Sequence, residues 1–123
     1  MANRRILVVE DNEKNMKLFR DVLGATGYET LEAASGEAAV ALAAERAPDL
    51  VLMDIQLPDI DGLEALRRLR ADERTAAVPV LALTAQAMQG DRERFLDAGF
   101  DGYLSKPVDV PDLIRTVEKH CGR

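Results

Sequence analysis

Short apolar runs, each followed by a stretch with helical spacing, set the pattern of the chain. Arg5-Ile6-Leu7-Val8-Val9 is a continuous run ending in Glu10-Asp11-Asn12. Leu50-Val51-Leu52-Met53 is a second, entered from Asp49 and ending at Asp54. Runs of this kind, apolar at every position, read as strands buried on both faces of a sheet. Tyr28 to Ala33 alternates loosely, as an edge strand does. Val78 to Leu83 is a fourth strand ending at Thr84, with Pro79 among its first residues, where a missing N–H is tolerated. Asp101 to Ser105 is a short fifth, ending at Lys106-Pro107.

The intervening segments carry helix signals. Asn12 caps a helix from about Glu13, with Met16, Phe19 and Leu23 at helical spacing beside Leu18 and Val22, and Gly24 and Gly27 at its end. Ser35 caps an Ala-rich helix, Glu37 to about Arg46, stopped by Pro48. Asp61-Gly62-Leu63-Glu64 fits a capping box. The helix it opens is expected to turn Leu63, Leu66 and Leu69 inward and Arg67, Arg68 and Arg70 outward. The next helix is poorly specified: Met88, Phe95 and Leu96 are its only large apolar residues, and Gly90 costs roughly 1 kcal/mol against Ala in a helix interior. The last helix has Asp109 as cap, Pro111 in its first turn and a stripe of Val110, Leu113, Ile114, Val117 and Cys121. Five strand–helix units in succession imply a parallel sheet with helices on both faces and right-handed crossovers.

Composition narrows the function classes. At 123 residues the chain suits one domain, residues 1–123. The net charge of −6 argues against a nucleic-acid partner and against attachment to an anionic membrane. Cys121 is the only cysteine, so no internal disulfide forms, and with no signal peptide the expected compartment is the cytoplasm. His120, in the last helical turn, is given no role.

The polar residues converge. Beyond the carboxyl ends of the strands stand Glu10 and Asp11, then Asp54, Thr84 and Lys106. Singly each is ordinary: a loop acid, a helix cap, a surface lysine. In open α/β sheets, however, ligands bind at that end, where strand order reverses. If the order is 2-1-3-4-5, Asp11 and Asp54 would face each other, with Thr84 and Lys106 along one rim. Three acids and one lysine carry −2, which calls for a proton or a divalent cation. Oxygen-only ligands in a partly open site favour Mg²⁺ bridging to phosphate. Asp54 is then either a metal ligand or the nucleophile of aspartyl-phosphate chemistry.

Together Leu7-Val8-Val9-Glu10-Asp11-Asn12, Asp49-Leu50-Val51-Leu52-Met53-Asp54 with Leu57-Pro58-Asp59-Ile60-Asp61-Gly62, Leu83-Thr84-Ala85 and Tyr103-Leu104-Ser105-Lys106-Pro107 resemble the receiver domain of two-component response regulators, from about Arg5 to His120. The resemblance implies a CheY-like, flavodoxin-like α/β fold, a five-stranded parallel sheet of order 2-1-3-4-5 with five helices. It implies that Asp54 accepts a phosphoryl group from a histidine of a sensor kinase or phosphotransferase. Asp11 resembles the direct Mg²⁺ ligand, Glu10 the outer acid that binds through water, and Gln56 the residue giving its backbone carbonyl to the metal. Thr84 resembles the hydroxyl that moves to the phosphoryl oxygen, Lys106 the counter-cation, and Tyr103 the switching aromatic. The Lys106–Pro107 bond is expected to be cis. Glu10 stands where many members have Asp, and its longer side chain is expected still to reach a metal-bound water. Gln56 and Gln86 hold the variable places that tune phosphoryl lifetime.

The fifth helix is the last element read, and the expectation is a single-domain regulator without an output domain. The phrasing of the chain, including Ala85-Gln86-Ala87-Met88-Gln89-Gly90-Asp91, is similar to stand-alone receivers of the DivK type and to receivers of hybrid histidine kinases. The expectation is a phosphorelay switch that is no enzyme beyond its own phosphotransfer and dephosphorylation. Its expected output is protein binding through the fourth helix, fifth strand and fifth helix. The fourth helix is expected to be the mobile element, with Gln86 to Asp97 exchanging amide protons faster than the last helix. A domain excised from a hybrid kinase or a larger regulator is the alternative. A Mg²⁺-dependent phosphatase of the haloacid-dehalogenase type would need an Asp-x-Asp arrangement after the first strand, where Asp11 is followed by Asn12 and Glu13. A degenerate receiver would lack Asp54, Thr84 or Lys106.

Overall fold

The computed structural model describes residues 4–85 and 91–121. Gln86, Ala87, Met88, Gln89 and Gly90, and with them part of the expected fourth helix, lie outside the described residues. Five strands, β1 (Arg5–Val9), β2 (Glu29–Ala33), β3 (Leu50–Asp54), β4 (Val80–Thr84) and β5 (Gly102–Ser105), alternate with helices α1 (Glu13–Ala25), α2 (Gly36–Arg46), α3 (Gly62–Ala71), α4 (Asp91–Ala98) and α5 (Val110–Cys121). Every neighbouring pair is parallel and the order is β2-β1-β3-β4-β5, as the resemblance implies. Among the described residues no helix is long and apolar enough to cross a membrane.

The unbroken apolar strands are buried on both faces because alternate residues serve two cores. Leu7, Val9, Val51, Met53, Val80 and Ala82 face one way, against Ala39 and Ala43 of α2, Ala65, Leu66 and Leu69 of α3, and Phe95 of α4. Ile6, Val8, Leu50, Leu52, Leu81 and Leu83 face the other way, against Met16, Phe19 and Leu23 of α1 and Leu113, Val117 and Cys121 of α5.

The caps follow the sequence signals. The Asn12 side chain accepts hydrogen bonds from the N–H groups of Lys14 and Asn15, and Ser35 from that of Ala38. Asp109 accepts from the N–H of Asp112. Gly27, at φ 93°, takes the left-handed conformation after α1. Asp61 accepts from the N–H of Glu64 at 2.8 Å, but only this half of the capping box is used as expected. The Glu64 carboxylate turns instead to Arg67 and Arg68.

Three expectations are corrected. Leu63 is not inward but 38% exposed. The buried residues of α3 are Gly62, Ala65, Leu66 and Leu69, a stripe at i, i+3, i+4 and i+7 that leaves Leu63 off the face. Val110 is 37% exposed rather than part of the α5 stripe. Helical side chains lean toward the preceding turn, and the first residue of a helix has none to lean on. Arg70 is not a solvated side chain. Its guanidinium donates to the carbonyls of Ala76, Val78 and Gly99 and to the Asp101 carboxylate, tying the α3–β4 and α4–β5 connections together.

Candidate functional site

Strand register builds the site. Val9 pairs with Met53, so Glu10 stands level with Asp54. Asp54 pairs with Leu83, so Thr84 comes one step further along. Thr84 pairs with Ser105, which delivers Lys106. Alternation then sorts the side chains. Glu10 and Asp54 continue the Ile6–Val8 and Leu50–Leu52 rows on the α1/α5 side, and Lys106 continues from Leu104 there. Thr84 continues the Val80–Ala82 row on the α4 side, where Tyr103 also packs.

Four of the residues meet closely. The Lys106 ammonium donates to Glu10 Oε1 at 2.5 Å and to Asp54 Oδ2 at 2.7 Å. Lys106 thus reaches into the cluster instead of lying along its rim. Carboxylate oxygens of Glu10, Asp11 and Asp54 all lie within 4.8 Å of one another. Asp54 Oδ1 accepts the Gln56 N–H at 2.9 Å. Glu10 is further held by the Asn12 N–H at 3.3 Å and the Asn15 side-chain amide at 3.2 Å. The Lys106–Pro107 peptide bond is cis, as expected.

Glu10 and Asp54 are only 2% and 5% exposed, while Asp11 is exposed. Burial pushes the Glu10 carboxyl above its ordinary range, and the neighbouring Asp54 adds to this against the opposing pull of Lys106. Burial pulls the Lys106 ammonium down, but its bonds to Asp54 and Glu10 outweigh that and hold it above its ordinary value. Two buried acids therefore share one firmly charged lysine, and the cluster stays short of positive charge. A set of three carboxylates with oxygen donors only, open on one side, fits a hard divalent cation such as Mg²⁺.

The cluster lines a cavity of about 570 Å³ together with Thr84 and with Arg94 and Phe95 of α4. Phe95 is fully buried, 6.3 Å between ring centroids from Tyr103, and the Arg94 guanidinium lies 4.9 Å over the Phe95 ring. Two of these residues escaped the sequence reading. Asn15 was legible in principle, since it lies three residues after the cap Asn12 and so on the same face of the first turn. Arg94 carried no signal, because the helix it stands on has too few apolar residues to orient it. Gly62 matters through close approach: a Cβ there would sit 2.7 Å from the Asp54 carbonyl oxygen.

Known proteins of the same build share this arrangement of strands. The chain matches the response regulator receiver domain family over residues 6–118. It is 50% identical over 119 residues to the polar-differentiation response regulator DivK of Brucella ovis, covering 97% of each chain. It superposes on the receiver domain of the sensor histidine kinase PA1611 from Pseudomonas aeruginosa PAO1 with a TM-score of 0.90 and 42% identity, over 99% of this chain and 100% of that one. That structure has a magnesium ion coordinated in its active-site cleft. A third neighbour is the receiver domain of Ssk1 from Saccharomyces cerevisiae, crystallised with the histidine phosphotransfer protein Ypd1, at a TM-score of 0.89 and 29% identity over 97% of this chain and 89% of that one. The chain belongs to the response regulator receiver domain family, the signalling domains of two-component and phosphorelay systems.

Proposed function

We propose that Asp54 is the phosphoacceptor and that residues 1–123 form one receiver unit. A carboxylate oxygen of Asp54 attacks the phosphorus of a phosphohistidine. A P–O bond forms, the P–N bond breaks, and the imidazole leaves with the electron pair. The donor is a sensor histidine kinase or a histidine phosphotransferase, a reading supported by the Ypd1 complex of the Ssk1 receiver. The single observation that carries the proposal is the Lys106 ammonium bridging Glu10 and Asp54 inside a three-acid cluster at the switch point of the sheet.

The carboxylates of Asp11 and Asp54, the backbone carbonyl of Gln56 and, through water, Glu10 would hold Mg²⁺. When bound, it would neutralise charge on the acids and on the phosphoryl oxygens. Lys106 keeps a fixed positive charge at Asp54 and donates to the phosphoryl group. Phosphorylation adds roughly −1 to the carboxylate it replaces, and the Thr84 hydroxyl is the further donor available from β4. Because Thr84 and Tyr103 stand on the α4 side of the sheet, drawing Thr84 inward biases the packing of α4. The altered face of α4, β5 and α5 is the surface that a downstream protein reads.

Phosphotransfer from a phosphorylated histidine phosphotransferase tests this. The label moves to the chain in Mg²⁺ and stays on the donor in a chelator. Equal transfer in both contradicts the metal's part, and no transfer from a panel of phosphohistidine donors contradicts the acceptor.

A further inference from the structure

The loop between β3 and α3 carries a carboxylate that takes no part in the acid cluster. Asp59 Oδ1 accepts the N–H of Gly36 at 2.8 Å, and Asp59 Oδ2 accepts the N–H of Glu37 at 2.9 Å. These are the first two N–H groups of α2, which have no partner within their own helix. The helix's own cap, Ser35, takes the third, that of Ala38, at 3.2 Å. The α2 amides, Glu37 foremost, hold the Asp59 carboxyl below its ordinary range. The two elements also touch directly. A Cβ on Gly36 would come within 2.4 Å of Ile60 Cγ1 and 3.1 Å of the Ile60 carbonyl oxygen.

The other end of this loop is closed on itself. The Gly62 N–H donates to the Ile55 carbonyl at 2.9 Å, and Gly62 lies directly against the Asp54 carbonyl. Ile55 to Asp61 is therefore fixed at its base by Gly62 and at its tip by Asp59. Gln56 lies between the two anchors and gives its N–H to Asp54 Oδ1.

We propose that Asp59 is a positioning residue of the phosphorylation site: by fastening the β3–α3 loop to the N-terminus of α2, it fixes the Gln56 backbone and, through it, the Asp54 carboxylate. This rests on the roles of Asp54 and Gln56 proposed above. Helix α2 thereby supports a site that none of its own residues touches. The competing role is a plain helix cap, in which Asp59 serves α2 and the loop needs no tether.

Three variants separate the two: Asp59→Ala, Asp59→Asn and Ser35→Ala. Ser35→Ala removes a cap from the same helix end but leaves the loop tether intact. Each is measured for thermal unfolding, for exchange of the Gln56 amide proton in Mg²⁺-free protein, and for Mg²⁺ affinity by NMR titration. Asp59→Ala speeds Gln56 exchange and weakens Mg²⁺ binding about tenfold, the low end for loss of an outer support of a metal site. Asp59→Asn, which keeps one acceptor oxygen, recovers part of both and carries the comparison if the alanine variant does not fold. Ser35→Ala lowers the unfolding temperature and changes neither. The proposal is overturned if Asp59→Ala lowers only the unfolding temperature, or if Ser35→Ala shifts Gln56 exchange and Mg²⁺ affinity as much. Failure of the wild-type protein to bind Mg²⁺ would overturn the metal reading instead, and Gln56 exchange in metal-free protein would still decide the part played by Asp59.

Discussion

At the carboxyl ends of the strands, Glu10 and Asp54 share the ammonium of Lys106, whereas on the surface of α3 Glu64 receives the guanidiniums of both Arg67 and Arg68, and Arg68 also lies 3.7 Å from Glu37 of α2. The first group has two acids to one cation and is almost wholly buried. In the second, Glu64 faces two cations, with the Arg67 side chain 70% exposed. Identical residue types titrate in opposite directions as a result. Burial beside Asp54 lifts the Glu10 carboxyl, while the bonds from Arg67 and Arg68 draw the Glu64 carboxyl down to about 2. Surface pairs of the second kind are screened by water and contribute little to stability. The buried, under-neutralised group works against folding and stands ready for added positive charge. A deficit of this kind at a sheet's switch point makes the cluster the candidate functional site.

Removing the cation from the buried group has the largest expected effect. Lys106→Met leaves Glu10 and Asp54 without their shared donor, and the rate of phosphorylation by acetyl phosphate falls on the order of 10²-fold, the usual loss for one preorganised donor. Quenched mass measurements over time give that rate. An unchanged rate would mean that Lys106 is only an ion-pair partner.

Relieving the deficit has a smaller effect of opposite sign. Glu10→Gln raises the unfolding temperature of the Mg²⁺-free protein at neutral pH, because a neutral side chain replaces one whose ionised form is disfavoured there. The pH dependence follows. Folded Glu10 holds its proton above the ordinary value of 4.5, so its contribution to stability falls as pH rises from 4.5 through the folded value. Glu10→Gln flattens that part of the stability–pH curve, and an unaltered curve would contradict the assigned deficit. The surface group gives the smallest effect and the reverse slope. Glu64 contributes stability above its ordinary value of 4.5 that is lost as pH falls from there through about 2. Glu64→Gln removes that slope in acid unfolding curves, and added salt shrinks it in the wild-type protein.

Much of the fold was legible in the sequence because β1, β3 and β4 are near-continuous apolar runs and the caps stand where strands give way to helices. Asp54 could be singled out because a continuous apolar run delivers it to the end of a buried strand. The reach of Lys106 between Glu10 and Asp54 could not be read, since it depends on pairing across 96 and 52 residues of chain. Arg70 misled for the same reason: the carbonyls that receive it lie on two connections brought together only by the folded sheet. Leu63 misled because residues 62, 65, 66 and 69 compete with it for the inward face, and Gly62 and Ala65 are too small to register as core residues. Helices α4 and α5 show the limit clearly. Leu113, Val117 and Cys121 anchor α5, but Phe95 is the one buried residue among the described side chains of α4. A helix with one anchor leaves little pattern from which to place Arg94 or the wall it forms.

The most direct test of Asp54 as phosphoacceptor is intact-mass measurement after incubation with acetyl phosphate and Mg²⁺, on the wild-type chain and on Asp54→Ala. A single phosphoryl adduct on the wild type and none on the variant is the predicted result. An adduct of equal yield on Asp54→Ala would contradict the assignment.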